Sequence, residues 1–199
     1  MTSTSHDSAS HDSSTPDPLR SPSPARYHAD LILPPYTYVP GKAPHPFSDP
    51  AGHSYGAHAP KPPPVDDADW SQHAAYLAGI DLFNLGYYWE AHESWEAAWH
   101  AVGRRGPIAD FLKGLIKLAA AGVKVREDRP AGVVAHALRA ALLFTNASAD
   151  GATVRLGLPL PELVLAAETM AEYPPPSCDD PPTVVRPLLP IVLRPQTAV

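Results

Sequence analysis

Proline is distributed unevenly along this chain of 199 residues, and its distribution limits where helices can form. Of the 26 prolines, 14 precede Asp66, four lie between Asp66 and Glu172, and eight follow Tyr173. Because proline lacks a backbone donor and its ring clashes with the preceding turn, long helices are confined to the middle of the chain. The sequence therefore predicts one helical domain, residues 66–173, between proline-rich extensions.

The extensions differ in composition. Residues 1–27 are rich in Ser, Asp and Pro and carry few apolar side chains, which predicts a disordered tail. Residues 28–65 combine prolines with many apolar and aromatic side chains, so we predict an extended arm that lies against the helices. Residues 174–199 form a proline-rich tail, and their apolar runs predict a second arm of the same kind.

The middle segment contains five predicted helices. The first starts near the acidic pair Asp66 and Asp67 and stops at Gly86, and the second covers residues 88–102. The other three begin at prolines, which are favoured in the first turn of a helix: Pro107, Pro130 and, approximately, Pro161. No alternating strand pattern appears in this segment. We therefore predict an all-α fold, a small antiparallel bundle of about five helices with proline-rich extended N- and C-terminal arms.

Composition argues against several classes of function. The net charge of −6 is the wrong sign for a nucleic-acid surface, and no apolar run approaches the ~20 residues of a membrane-spanning helix. The N-terminus lacks the apolar stretch of a secretory signal, and the single cysteine, Cys178, suits a reducing compartment. We expect a cytoplasmic protein without nucleic-acid or membrane partners. A small molecule, a protein or a second copy of the chain remain open as partners.

The second predicted helix carries a compact group of polar side chains. At about 100° per residue, His92, Glu93 and Glu96 share roughly one third of the helix circumference with Trp89 and Trp99. The opposite side holds mainly small residues and one further tryptophan. If the face with the two tryptophans turns inward, the His/Glu group becomes a partly buried polar site, and its carboxylates need partners.

Three kinds of partner fit this group. The first is a divalent metal, which His92 and Glu96, four residues apart, can reach together, with Glu93 beside them as a base. The second is cationic, because Lys113 and Lys117 are four residues apart on the third helix and can pair with the glutamates. The third is a purely structural network, in which His92 hydrogen-bonds a carboxylate and the rings pack. The residues alone leave all three open.

Other polar residues are interpreted more simply. His136 has the position of a surface histidine or a satisfied core histidine. Three arm histidines, His45, His53 and His58, are further ligand candidates, although turn-rich loops often carry histidine without a ligand. Asn84 lies near the end of the first helix, where a role in capping or in the turn is favoured over contact with a ligand.

A family resemblance rests on the run around the second helix. This run resembles the signature of the family catalogued as domain of unknown function 309. The matching residues are Phe83, Asn84, Gly86, Tyr88, Trp89, Glu90, Ala91, His92, Glu93, Glu96 and Trp99. Residues 112–121 and 130–132 are similar to two further motifs of that family, and the resemblance spans about residues 74–144. It implies an all-helical bundle. Its members carry the label of predicted metal-dependent hydrolases, so the resemblance also implies that class of activity.

The resemblance places five residues in a pocket: Asn84, His92, Glu93, Glu96 and Trp99. The chain departs from the family pattern at three positions. Trp95 stands where a smaller aliphatic residue is usual, and Lys113 and Lys117 stand where glutamine is common. Lysines beside the glutamates favour the ion-pair alternative over the metal.

The leading hypothesis is a divalent-metal-assisted hydrolase of a small substrate, with the metal as the cofactor. Its candidate residues are Glu93 as the catalytic base, His92 and Glu96 as metal ligands, and Asn84, Trp89, Trp99, Lys113 and Lys117 as the pocket. The alternative is a non-enzymatic helical binding or scaffold module, in which the His/Glu face is a structural polar network.

Overall fold

The computed structural model of the chain describes residues 26–57 and 60–196. After a single 3-10 turn at Trp70–Gln72, five helices follow: α1 (Ala74–Leu85), α2 (Tyr88–Ala101), α3 (Pro107–Arg126), α4 (Pro130–Asn146) and α5 (Leu160–Glu172). A hairpin of two-residue antiparallel strands, β1 (Val154–Arg155) and β2 (Leu158–Pro159), connects α4 to α5. The all-α class is confirmed, and within the described residues this hairpin is the departure from it.

Successive helices pack against one another in chain order, so α3 lies between α2 and α4. Its central position makes α3 the most completely covered helix. Between residues 111 and 126, the side chains that are not buried are Lys113, Lys117, Ala120 and Lys124. Spacings of four, three and four residues place them in one row along the helix. We call this row the open strip of α3.

The first helix begins later than its sequence predicts. A start near Asp66 and Asp67 is wrong, because α1 begins after His73, whose ring accepts a hydrogen bond from the Tyr76 amide at 3.1 Å. Asp67 instead accepts a hydrogen bond from the Leu156 amide at 2.8 Å and so holds the hairpin against the bundle. Within the described residues, none of the helices has the length and the apolar character that a membrane crossing requires.

The buried face of α2 is the one opposite the predicted site. Tyr88, Ala91, Trp95 and Ala98 are buried, whereas the face with the His/Glu group is partly open to solvent. Trp95 fixes this orientation. Its indole nitrogen donates a hydrogen bond to the Tyr76 carbonyl at 3.1 Å, and its ring packs directly on the backbone of α1.

Gly79 makes the close approach of α1 and α2 possible. A Cβ at this position would lie 2.6 Å from Cδ1 of Trp95, well inside van der Waals contact. The bulky Trp95, which departs from the family pattern, is therefore accommodated by a glycine on the neighbouring helix. Once the indole is seated in this gap, the His/Glu group on the other side of α2 must face outward.

The N-terminal arm, residues 26–57, lies against α1 and α2. The amides of Tyr27 and His28 both donate to the buried carboxylate of Asp81 at 2.8 Å. Most of the predicted disordered tail, residues 1–25, lies outside the described residues. Of the residues assigned to that tail, Tyr27 donates its amide to Asp81 and so contacts α1.

The C-terminal arm, residues 174–196, covers the junction of α1 and α2. The hydroxyl of Tyr88 accepts hydrogen bonds from the amides of Leu188 and Leu189 at 2.7 Å and 3.0 Å. Gly86, which ends α1 with a φ of 95°, lies so close to the Arg186 carbonyl that any Cβ there would overlap it. Both arms are thus held by polar side chains of the first two helices.

Candidate functional site

His92, Glu93 and Glu96 lie together on the outward face of α2, and we call them the His/Glu cluster. One donor atom from each residue lies within 4.8 Å of the other two. Nδ1 of His92 is 3.2 Å from Oε1 of Glu93. The side chains of His92 and Glu93 retain 27% and 35% of their full exposure, so solvent reaches the cluster. The structure therefore shows an open group of donors rather than a sealed network.

The cluster has few partners within the protein. Among the described residues, none donates a hydrogen bond to Glu96, and neither Lys113 nor Lys117 forms an ion pair with Glu93 or Glu96. Lys113 instead places its Nζ 3.9 Å from the centre of the Trp99 ring. The predicted ion pairs between lysine and glutamate are therefore not formed, and Glu96 remains available to a ligand.

Lys117 nevertheless lies in the same electrostatic neighbourhood. Burial lowers its pKa, the positive charges of Lys113 and Arg139 lower it further, and the carboxylate of Glu96 opposes the shift. His136 on α4 behaves similarly, because burial and then the charge of Lys117 lower its pKa. The His/Glu cluster thus adjoins a group of basic side chains contributed by α3 and α4.

The N-terminal arm builds one border of this open face. Trp89, one turn before His92 and Glu93, is surrounded by three aromatic rings of the arm. The ring centres lie 5.1 Å away for Tyr38, 5.5 Å for His45 and 5.9 Å for Phe47. Trp89 is therefore a wall of the site that α2 and the arm form together.

The arm histidines are occupied elsewhere. His45 accepts a hydrogen bond from the Phe47 amide at 3.2 Å, which stabilises its own turn. Nδ1 of His53 is 2.8 Å from the Ser54 hydroxyl, and its Nε2 is 3.4 Å from Glu90. His58 lies outside the described residues. Neither described histidine joins the His/Glu cluster as a further ligand.

Glu90 is a buried carboxylate that the sequence interpretation missed. It accepts hydrogen bonds from the Thr37 hydroxyl at 2.7 Å and the Tyr38 amide at 2.8 Å, and His53 lies at 3.4 Å. Burial raises the pKa of Glu90, and these hydrogen bonds oppose the shift. Helical periodicity alone places Glu90 outside the buried stripe of α2, because the covering layer comes from the arm. Its position inside the family run was the one available signal.

Asn84 anchors the C-terminal arm. Its side-chain oxygen accepts a hydrogen bond from the Leu193 amide at 2.8 Å, and its side-chain nitrogen donates to the Leu193 carbonyl at 2.8 Å. Both polar ends of the side chain are therefore used by one backbone unit. The favoured capping or turn role is not the one observed, and the amide points into this buried contact rather than to the His/Glu cluster.

A groove elsewhere on the protein has a different character. A space of about 500 Å³ lies between the end of α4 and the start of α5. Phe144, Leu160 and Leu165 line it together with Glu168, and it shares no residue with the His/Glu cluster. The described lining of this groove lacks the imidazole and paired carboxylates of the His/Glu cluster, so the cluster is the better candidate for a metal site.

Comparison with known proteins supports the interpretation of the central helices. Fold and side chains define a helical-bundle protein with an open His/Glu cluster on its second helix. The sequence model of the family described as Domain of unknown function (DUF309) matches residues 76–135, from α1 into α4. The chain therefore carries a domain of this family, which confirms the resemblance. The match includes the cluster and the lysines of α3 but neither arm. No curated protein and no solved structure matches the chain.

Proposed function

We propose that this chain is a hydrolase of a small substrate and binds one divalent metal ion at the His/Glu cluster. His92 and Glu96 are the proposed ligands, and Glu93 is the proposed general base. The observation that carries the proposal is the convergence of one imidazole and two carboxylates, with donor atoms within 4.8 Å of one another, on a face that solvent reaches.

The donor set suits a divalent ion of the first transition row. Imidazole nitrogen and carboxylate oxygen bind such ions at about 2.0–2.2 Å, and half-exposed side chains have the freedom to close this distance. Nδ1 of His92 contacts Glu93, so Nε2 is the ring nitrogen left for the metal. Catalytic zinc sites generally combine three protein ligands with one position open to water or substrate, and His92 and Glu96 supply two of those ligands.

The metal ion and the side chains around it have different proposed roles in the reaction. A bound divalent ion supplies Lewis acidity and lowers the pKa of water. One carboxylate oxygen of Glu93 contacts Nδ1 of His92 and so orients the imidazole. The other oxygen is the one that would accept a proton from the attacking water. Trp89 and Trp99, one turn beyond either end of the cluster, limit the substrate along the helix axis.

A binding or scaffold module with a structural His/Glu network is the alternative. Such a network needs buried carboxylates with protein partners, because an unpaired buried charge is costly. Glu96 is partly exposed and has no partner among the described residues. Buried polar contacts of the structural kind are made instead by Asp81, Asn84 and Glu90. This division of roles favours a metal site at the cluster.

Metal analysis of protein purified without a histidine tag tests the proposal. We expect about one equivalent of Zn²⁺ or Mn²⁺ and a lower melting temperature after chelation, because a ligand bound only to the folded state stabilises it. Glu96→Gln should lose the metal. Glu93→Gln should keep the metal and lose hydrolysis of nitrophenyl esters. Glu168→Gln, on α5, serves as the matched control and should change neither.

Two outcomes would contradict parts of this assignment. Far less than one equivalent of metal, together with a melting temperature that chelator does not change, would reject the metal site altogether. Loss of metal from Glu93→Gln as complete as from Glu96→Gln would make Glu93 a third ligand. The base would then have to be another group.

A further inference from the structure

The open face combines the His/Glu cluster with lysines that form no ion pair among the described residues. Of the three lysines on the open strip of α3, Lys124 pairs with Glu127 at 2.7 Å. Lys113 and Lys117 form no ion pair with any described carboxylate. In a chain with a net charge of −6, such a basic strip is a local departure from the overall charge.

Contacts between α2 and α3 place Lys117 beside the cluster. Lys113 lies over the Trp99 ring, with its Nζ 3.9 Å from the ring centre. The two helices are joined by a short loop and pack as antiparallel neighbours. Because the two helices run in opposite directions, Glu96, one turn before Trp99, lies level with Lys117, one turn after Lys113. The influence of Glu96 on the pKa of Lys117 agrees with this register.

Contacts between α3 and α4 bring a second set of cations to the same place. A Cβ on Gly132 would lie 3.0 Å from the side chain of Lys124. The start of α4 therefore lies beside the end of α3. His136 follows Gly132 by one turn and Arg139 follows it by two turns, and Lys117 precedes Lys124 by two turns on α3. His136 and Arg139 on α4 therefore lie near Lys117, in agreement with their electrostatic influence on each other.

We infer that the substrate of this site is a small-molecule phosphate ester, whose phosphate group binds Lys117 with Lys113 and Arg139 nearby. The inference rests on the proposed metal site and names its substrate class. Two lysines and an arginine match the two negative charges of a phosphate monoester better than the single charge of a carboxylate. Cationic side chains around a phosphoryl group also stabilise the charge of its transition state.

The reaction is a balanced hydrolysis. Water forms a new P–O bond while the bond from phosphorus to the ester oxygen breaks. Glu93 takes the proton of the attacking water, and the leaving alkoxide is protonated from solvent. The products are an alcohol and inorganic phosphate, and no oxidant or second substrate is needed. Lys117 binds the non-bridging oxygens throughout and so acts on the substrate directly.

Phosphate binding can be measured separately from catalysis. Calorimetry first determines Mn²⁺ binding, and the Mn²⁺-loaded protein is then titrated with inorganic phosphate. We expect Lys117→Gln to bind Mn²⁺ as the wild type does but to weaken phosphate binding about tenfold, the equivalent of ~1.4 kcal/mol. Lys61→Gln removes one positive charge from an exposed position off the strip and should stay within about twofold of the wild type.

Two further measurements complete the test. Arg139→Gln, at an exposed position, should also weaken phosphate binding, which keeps the test decisive if Lys117→Gln lowers the melting temperature. The protein should hydrolyse p-nitrophenyl phosphate in preference to p-nitrophenyl acetate. If Mn²⁺ binds but phosphate does not, or if both charge variants bind phosphate normally, the phosphate inference is wrong and the metal site stands. If Mn²⁺ does not bind, both proposals are wrong.

Discussion

Replacing Asn84 by alanine should release the C-terminal arm and leave the His/Glu cluster intact. The side chain forms two hydrogen bonds, both 2.8 Å long, with the amide and the carbonyl of Leu193. Leu193 is only 1% exposed, so neither backbone group can turn to water while the arm stays docked. Each unsatisfied buried group costs about 1–3 kcal/mol, and detachment of the arm limits the total. We therefore expect a loss of about 2–4 kcal/mol in the free energy of unfolding.

Urea denaturation and hydrogen exchange test this expectation together. Asn84→Ala should shift the unfolding midpoint downward and speed exchange at the Leu193 amide, while Mn²⁺ binding stays at the wild-type level. Asn146→Ala, at the exposed end of α4, is the matched control and should cost less than about 0.5 kcal/mol. If Asn84→Ala instead lost metal without losing stability, the amide would belong to the site, as the family resemblance implies, and the anchoring role would be wrong.

Two other buried positions give sharp expectations. Glu90→Ala should cost about 2–3 kcal/mol in urea denaturation, because the Tyr38 amide loses its buried acceptor, whereas Glu90→Gln keeps an acceptor and should cost far less. Because burial raises the pKa of Glu90 above its ordinary 4.5, its stabilising contribution is complete below that pH and declines as pH rises through the folded value. The free energy of unfolding of the wild type relative to Glu90→Gln should therefore increase on acidification. A difference in unfolding free energy that stays constant with pH would contradict this. Gly79→Ala should cost at least about 1–3 kcal/mol by overlap with Trp95, while Gly132→Ala, which meets only a flexible lysine, should be nearly neutral or stabilising in a melting experiment.

Helix positions were predictable wherever a local residue determines them. Pro107 and Pro130 begin α3 and α4 as expected, because proline fixes the backbone angle of a first turn in any surroundings. The start of α1 was not predictable in the same way. Its cap is the ring of His73, which is an uncommon capping residue, and the more typical acidic candidate Asp67 is used by the hairpin.

The grouping of the candidate site was predictable, but its orientation was not. His92, Glu93 and Glu96 come together because helical spacing places them on adjacent positions of one face, whatever surrounds the helix. Which face of α2 is buried depends on the fit of Trp95 against Gly79, and that fit joins residues on different helices. The same limit explains the lysines, since Lys113 reaches the Trp99 ring rather than a glutamate.

Glu90 and Glu93 illustrate how the arm changes the surroundings of neighbouring carboxylates on α2. They are one turn apart on α2, and without the arm both would face solvent. The arm buries Glu90 through the Tyr38 amide and places the Tyr38 ring 5.1 Å from Trp89, so one residue of the arm contributes both to docking and to the wall of the candidate site. The cluster lies within residues 76–135, which the family shares, whereas Tyr38 lies outside them. We therefore expect the proposed metal site to belong to the shared helices and the choice of substrate to depend on the arm.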